Sequence, residues 1–204
     1  HGALISWALM MEGGALINKQ GQRFSNEHEG YSEQAARVMA QTDKTAFVLF
    51  DDRLLELGRS FPDFAEAETA GAVISADSLE ALAERLKIPA SQLQETLAEM
   101  TAFQAGSKAD PLGRDFTGHP ALGAPYHAIQ VTGALFHTQG GLDIDTTARV
   151  LDETGQPLPN LLAAGGAARG VSGPDVSGYL SGNGLLTALT LGRIAGQQAA
   201  KMLK

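Results

Sequence analysis

The sequence predicts a chain in two parts, an α+β portion over residues 1–128 and a second portion, 129–204, built as strand, glycine-rich turn and long helix. Three observations carry this. Two consecutive amphipathic helical patterns lie between Asp77 and Gly106. The character changes after Pro125, from helical periodicity to short apolar runs separated by glycines. More than half of the 24 glycines fall from Gly133 onward, where the backbone must turn sharply or lie close to another surface.

Leu4 to Asn18 alternates loosely around Gly13-Gly14 and predicts two short strands. Lys19 to Gln22 predicts a turn, with Gly21 suited to positive φ. Tyr31 to Gln41 predicts a helix with Ala35, Val38 and Met39 inward, and the apolar run Thr45–Phe50 a buried strand. Asp51-Asp52 is placed to cap a short helix around Arg53–Leu57. Asp77-Ser78-Leu79-Glu80 has capping-box spacing before a helix carrying Leu79, Leu82 and Leu86. Pro89 opens the next helix, with Leu93, Leu97 and Phe103 on one side, ending near Gly106. Residues 106–124 read as a loop or hinge. Tyr126–Val131, Ala134–His137, Leu142–Ile144 and Leu161–Ala164 read as strands, the last ending at Gly165-Gly166. Ser181-Gly182-Asn183-Gly184 then leads into a helix of about five turns.

Composition narrows the function classes. Hydrophobic residues make up 44% of the 204, enough for a core, and no run approaches the length of a membrane span. A net charge of −8 without a Lys/Arg-rich block argues against a nucleic-acid surface. The absence of cysteine excludes disulfides, thiol catalysis and cysteine-ligated metal, and fits a cytoplasmic protein. His28, His119 and His127 have no partners at metal-ligand spacing, so no metal is expected. Ser172 and Ser181 fail the G-x-S-x-G pattern, which disfavours a hydrolase.

Open N–H groups at a glycine-preceded helix start suit an anion or a carbonyl edge. Along the helix, Ala188, Gly192, Ala195, Gly196 and Ala199 form a smooth stripe suited to close packing. Turns and tight packing alone would also account for these glycines.

The order HTQGGLDID, LPNLLAAGGAA, GYLSGNGLLTALTLGRIAGQQAA resembles the C-terminal flavin-binding portion of the fumarate reductase/succinate dehydrogenase flavoprotein family, which includes the 3-ketosteroid dehydrogenases. Upstream, GGALINKQGQRFSNEHEGY resembles that family's N-x-x-G-x-R-F-x-N-E element, so the likeness spans nearly the whole chain. It implies an α+β capping domain that covers the substrate (1–128) and the C-terminal part of an α/β FAD-binding (Rossmann-like) domain (129–204). The family's opening GxGxxG fingerprint is missing, since Gly182/Gly184 is followed by Thr187. By resemblance the chain is therefore expected to be a C-terminal fragment, holding FAD weakly or not at all by itself and inactive alone.

The resemblance also implies site residues. His137, in the HT-x-GG stretch, corresponds to a histidine that binds a substrate carboxylate in the fumarate reductases. Gly140, Gly141, Gly165, Gly182, Asn183, Gly184 and Leu185 correspond to flavin contacts, and Gly166 stands where the family often has a glutamate. Tyr31 and Tyr179 occupy the places of two fumarate-reductase arginines, a proton donor and a carboxylate clamp. That loss makes fumarate reduction unexpected. Tyrosines at both places are a ketosteroid-dehydrogenase feature, implying a proton abstracted beside a carbonyl and that carbonyl polarised. Helix capping by Tyr31 and simple packing of Tyr179 are the structural alternatives, and a carboxylate substrate stays open.

Arg23 and Glu27 are expected to form an internal ion pair or to fix the cap against the flavin domain instead of acting in catalysis, and Asp143 and Asp145 to share a solvated strand edge. The resulting expectation is an FAD-dependent oxidoreductase moving hydride across a C–C bond next to a carbonyl or carboxylate, with a small keto compound or carboxylate as substrate. Apolar surface on the second portion is expected to favour a homodimer. The competing class is a non-catalytic substrate- or partner-binding module without flavin.

Overall fold

The computed structural model describes residues 2–135, 139–177 and 179–203. It forms two compact units, His1–Ala134 and Leu135–Lys204.

The first unit opens with a single helical turn, α1 (Ala8–Met11), and a short strand, β1 (Ala15–Ile17). The first expected strand is thus helical, because an apolar run this short has no decisive period. The Gly13-Gly14 pair makes the switch. Gly13 has φ +116°, and a Cβ on Gly14 would lie 2.7 Å from the Leu9 carbonyl oxygen. Helix α2 (Tyr31–Met39) follows. It buries Gln34 and Val38, while Met39 is 40% exposed, contrary to the inward face read from its apolar residues. A glutamine can sit there because its amide is fully used. Gln34 Oε1 accepts from Ser25 Oγ at 2.6 Å and Nε2 donates to the Asn26 carbonyl at 2.5 Å.

Strand β2 (Thr45–Asp51) is buried along almost its whole length, as its unbroken apolar run predicts for a strand covered on both faces. Asp51 then caps α3 (Asp52–Arg59) by accepting from Leu54 N at 3.1 Å. Helix α4 (Pro62–Thr69) starts on a proline, and β3 (Val73–Ala76) follows it; neither was anticipated from the sequence. Ser78 caps α5 (Leu79–Leu86), and α6 (Ala90–Gln104) buries Leu93, Leu97, Met100 and Phe103. After the loop comes β4 (Tyr126–Thr132).

These strands form one antiparallel sheet in the order β1-β2-β4-β3. β4 pairs with β2 from Thr45↔Thr132 to Asp51↔Tyr126, and with β3 from Val73↔Ile129 to Ala76↔Tyr126. A division after residue 128 would cut β4 in the middle. Its two ladders hold the strand in the first unit, and the break between units comes after Ala134.

The second unit contains a two-stranded hairpin of β5 (Arg149–Leu151) and β6 (Pro157–Leu162), a helical turn at Gly165–Ala167, and the 20-residue helix α7 (Asn183–Met202). Asp152 shapes the hairpin turn by accepting from Thr154 N and Gln156 N, with Gly155 at φ +78°. Leu142–Ile144 makes isolated bridges, Leu142↔Ala168 and Ile144↔Val150, instead of the expected strand. The small core is Val150, Ala163 and Ala168, with Ile144, Leu158 and Leu191 against it. Among the described residues, no helix is long and apolar enough to cross a membrane.

Candidate functional site

In the first unit the R-F-S-N-E segment is held by a buried cluster of charges. The turn before it is organised by Asn18, whose Oδ1 accepts from Gln20 N and Gln22 N, each at 3.0 Å. Gly21 has φ +81°, as expected, and its carbonyl accepts from Thr96 Oγ1 of α6 at 2.8 Å. Arg23 then grips two carboxylates at once. It donates to Glu27 through Nε at 2.9 Å and Nη2 at 2.6 Å, and to Asp110 through Nη1 at 3.1 Å and Nη2 at 3.0 Å. Glu27 also accepts from Leu16 N at 3.1 Å and lies 3.3 Å from Nη1 of Arg114. Arg114 donates to the carbonyls of Gly14 and Met10. The Phe116 ring lies 5.0 Å from the Arg23 guanidinium and 4.8 Å from that of Arg114, within cation–π range.

All four charged side chains are nearly inaccessible to water. Burial alone would lower the Arg23 pKa, but hydrogen bonds and charge from Glu27 and Asp110 outweigh it and raise the value. For Arg114, burial and the charge of Arg23 prevail, and the shift is downward. Arg23 and Glu27 therefore form the internal pair expected, and the structure adds two partners from the 106–124 loop. Sequence reasoning missed Asp110 and Arg114 because their distance along the chain carries no periodic signal.

This network fixes the segment that leads to Tyr31. Tyr31 is the first residue of α2, after Gly30 at the N-cap position, and is 41% exposed. Gln34 ties α2 back to Ser25 and Asn26, so both sides of the Asn26–Gly30 turn are anchored. Next to it, the rings of His28 and His119 meet edge to face at 5.6 Å. Burial, then Arg114, then His119 lower the His28 pKa, against weaker support from Glu27 and Asp115. The folded value lies below that of the unfolded chain, so acidification through the ordinary imidazole range costs stability. His28→Gln is expected to flatten that acid-side loss in denaturation curves measured between neutral pH and the start of carboxylate titration. An unchanged pH profile would assign the loss elsewhere.

His127 has partners that its sequence context does not reveal. Its Nε2 lies 2.8 Å from Asp52 Oδ1 and its Nδ1 2.8 Å from Ser75 Oγ. The serine and carboxylate sit on the opposite nitrogens from those of a hydrolytic triad. The group joins α3, β3 and β4 as a polar staple. Among the described residues, no cluster of three or more His, Cys, Asp or Glu could hold a metal.

In the second unit, the candidate flavin contacts differ in character. Gly141 lies against the main chain of Ala168 and Arg169, and a Cβ there would come within 2.6 Å of the Ala168 oxygen and 2.7 Å of Arg169 N. Neighbouring bonds hold the two segments side by side: Leu142 N to Ala167 O at 2.9 Å, Arg169 N to Leu142 O at 3.0 Å, and Gly170 N to Gln139 O at 2.9 Å. Glycine is thus required at 141 by packing alone. Gly141→Ala is expected to destabilise by about 1–3 kcal/mol, as overpacking does, read by thermal melting; a neutral effect would show that the two segments part easily. Gly140 precedes it in the same segment. Gly165 has φ +56° and faces Ala188 of α7, where a Cβ would sit at 3.4 Å, so one residue of the small stripe is used for close packing. A Cβ on Gly192 or Gly196 would meet nothing within 4 Å.

The start of α7 is open. Gly182, at φ +80°, occupies the N-cap without a side-chain cap bond. Leu186 N bonds to Gly182 O and Asn183 N to Leu180 O, which leaves the N–H groups of Gly184 and Leu185 without backbone partners among the described residues. A Cβ on Gly182, Gly184 or Gly166 would likewise meet nothing within 4 Å. Such a start can receive the carbonyl edge of a planar ring, so these residues fit the group that the sequence implies. Asn183 differs. Buried at 5% exposure, it donates Nδ2 to Ser172 Oγ, so that donor is committed within the protein. Leu185 and Leu189 are each 76% exposed and Leu186 65%, a broad apolar surface on this unit. Asp143 is exposed, as expected of a solvated edge, and Asp145 half-buried, and each has a basic partner. Asp143 bonds Arg169, and Asp145 accepts from Thr147 and Arg149. The Thr147 hydrogen bond leads the causes that hold the Asp145 carboxyl at about 2.

Tyr179 precedes Leu180 at the entrance to α7, in the second unit, while Tyr31 belongs to the first. His137 lies outside the described residues.

A family model described as an FAD binding domain matches residues 1–185. The chain is 33% identical over 203 residues to a cytochrome-type fumarate reductase of Shewanella frigidimarina, covering 100% of this chain and 34% of that protein. Among solved structures, the open conformation of a flavocytochrome c3 fumarate reductase matches with a TM-score of 0.72 at 29% identity, over 98% of this chain and 34% of that one. The 3-ketosteroid-Δ4-(5α)-dehydrogenase of Rhodococcus jostii, solved with 4-androstene-3,17-dione, matches with a TM-score of 0.66 at 29% identity, over 94% and 39%. The chain spans about a third of the length of the curated relatives it matches.

Proposed function

The chain belongs to the FAD binding domain family, within its fumarate reductase-like flavoproteins, and from that premise we propose that the whole protein is an oxidoreductase that moves hydride across a C–C bond beside a carbonyl. One observation carries the flavin part of this reading: the uncapped, unobstructed start of α7, with the N–H groups of Gly184 and Leu185 open. These groups would receive a flavin carbonyl, with Gly182 and Gly184 leaving the approach to them open, where a Cβ would meet nothing within 4 Å. FAD, when bound, supplies the ring that exchanges hydride with the substrate.

The chain's own residues handle the proton and the carbonyl. Tyr31 moves the proton at the carbon next to the carbonyl group, and Tyr179 donates a hydrogen bond to the carbonyl oxygen. His137 grips the far end of the substrate. Tyrosines where the fumarate reductases carry arginines support a small keto compound over a dicarboxylate, since a phenol cannot form the bidentate charged pair that a carboxylate favours. The unit 1–134 acts as the cover over the substrate, and the exposed leucines of α7 offer a surface for self-association, read by light scattering against concentration.

The test is a visible absorption spectrum of the protein expressed with its complete reading frame, beside the 204-residue chain. A flavin band, bleached on adding a saturated cyclic ketone, is the expected result in the long form. No band in either form after adding FAD overturns the enzyme reading and leaves a binding module.

A further inference from the structure

We propose that His28 and His119 form an acid-released latch, which holds the 117–119 tip of the loop against the 26–30 turn while both rings are uncharged. The rings meet edge to face with centroids 5.6 Å apart. That arrangement suits neutral imidazoles, because the positive edge of one ring faces the π-cloud of the other. One nitrogen is closed off at the same place: Nε2 of His28 is buried and has no hydrogen-bond partner among the described residues. A neutral ring can leave that nitrogen bare at modest cost. A protonated ring would bury a charged N–H without an acceptor, which costs far more.

The charges around the pair point the same way. Arg114 and Asp115 act on His28 from the loop, and Glu27 from its own turn. On the side of α3, a Cβ on Gly13 would lie 3.2 Å from Arg53 Nη2 and 3.7 Å from His119 Cβ, so a second guanidinium flanks His119. Glu29, next to His28, is turned to Arg37. Glu27 is already shared between Arg23 and Arg114. Asp115 is exposed and accepts from Thr117 N at 2.8 Å, so solvent screens its pull on the rings. Burial first, then Arg114, then the charge His119 carries in acid hold the His28 pKa down against these two carboxylates. Acidification is therefore the direction in which the contact is lost.

The part that lifts is confined to the tip. Phe116 before it and Leu122 after it are buried, and Gln104 Nε2 donates to the Pro120 carbonyl at 3.1 Å. Between these anchors Thr117 and Gly118 are exposed, and a Cβ on Gly118 would meet nothing within 4 Å. The turn opposite stays in place. Asn26 Nδ2 donates to the Gly113 carbonyl at 3.0 Å, and Gln34 Nε2 donates to the Asn26 carbonyl. Lifting the tip gives His28 Nε2 access to water while the buried cluster of Arg23, Glu27, Asp110 and Arg114 remains closed. In the function proposed above, this turn leads to Tyr31 in the substrate cover, so the cover would open beside it in acid. That consequence rests on the flavin reading; the latch does not.

An NMR titration of the 204-residue chain tests this, run from neutral pH to the start of carboxylate titration, with β4 amides as the control for global stability. The amides of Gly118 and His119 are expected to shift with the same midpoint as the His28 ring, and those of β4 to stay unmoved. His28→Gln is expected to abolish the shift at Gly118. His119→Gln, a change on the exposed tip, is expected to move the His28 titration to higher pH. Tip amides that ignore pH in the wild-type chain overturn the latch without any variant, as does an equal response of Gly118 in His28→Gln. A His28 titration unmoved by His119→Gln overturns the pairing of the rings. Tip and β4 amides changing together mean that acid unfolds the whole unit, which also overturns the latch. Absence of flavin in the full-length protein removes the consequence for the cover, while the titration still decides the latch.

Discussion

Glu27→Ala is expected to cost the fold about 3–5 kcal/mol, the range for breaking a buried ion pair by removing one partner. Glu27 is fully buried and neutralises a site that also holds Arg23 and Arg114. Without it, two guanidiniums remain in the interior with only Asp110 between them. Arg23 loses one of its two bidentate partners, and Leu16 N loses its acceptor on β1. Water cannot enter freely to replace these bonds, because the side chains of the cluster are nearly inaccessible to it. Chemical denaturation of the chain checks this. Glu27→Gln separates part of the causes, since its amide oxygen keeps the acceptor for Leu16 N while the charge and the second acceptor, facing Arg23 Nη2 and Arg114 Nη1, are lost. A loss under about 1 kcal/mol for Glu27→Ala would place the network among weak, surface-like pairs.

The same cluster predicts a pH dependence. Burial pushes the Asp110 carboxyl up, but the hydrogen bonds and charge of Arg23 outweigh it, and the net shift is downward. A carboxyl whose folded pKa lies below its unfolded one contributes stability above the ordinary carboxylate range. That contribution fades as pH falls through the folded value. Asp110→Asn is therefore expected to remove part of the acid-side slope in stability that the wild-type chain displays.

Tyr31→Phe is expected to lower turnover of a keto substrate by about 10²–10⁴-fold in the flavin-loaded full-length protein, the usual worth of a positioned acid or base. The phenol hydroxyl is the only group removed, and Tyr31 stands half-exposed at the start of α2, so stability is expected to change little. Gln34 and Glu27 hold the turn before it in either case. Rates of flavin reduction under single turnover, together with melting curves for both forms, check the prediction. A turnover loss below about threefold with full stability would assign the proton to another group. A loss accompanied by an equal loss of stability would make Tyr31 a helix-start residue without a chemical role.

How much of this was legible varies residue by residue. The cap on α3 was read correctly because Asp51 acts on a backbone N–H three residues on, while the capping-box spacing from Asp77 to Glu80 put the α5 cap one residue early, since Ser78 accepts from Ala81 N. The buried run of β2 was equally clear, since an apolar strand covered on both sides looks the same in any register. α1 and the inward face of α2 were not. A four-residue apolar run has no period, and Gln34 is buried only because Ser25 and Asn26 satisfy its amide. The candidate site divides in the same way. Motif order identified the family, but it could not separate Gly141, held by the Ala168–Arg169 backbone, from Gly184, whose surroundings are open.

By itself, then, the sequence determined the elements that local chemistry governs: helix caps, apolar periods, positive-φ turns such as Gly21, and the ordered motifs of a flavoprotein family. Only the tertiary structure decided which distant groups share a site. Asp110 meets Arg23 across 87 positions of chain and Ser75 meets His127 across 52. The reason is physical. A cap or a turn is satisfied within a few residues, so its signal is written in a short window. A buried charge needs a counter-charge wherever the packed chain can supply one, and no spacing in the sequence records where that is.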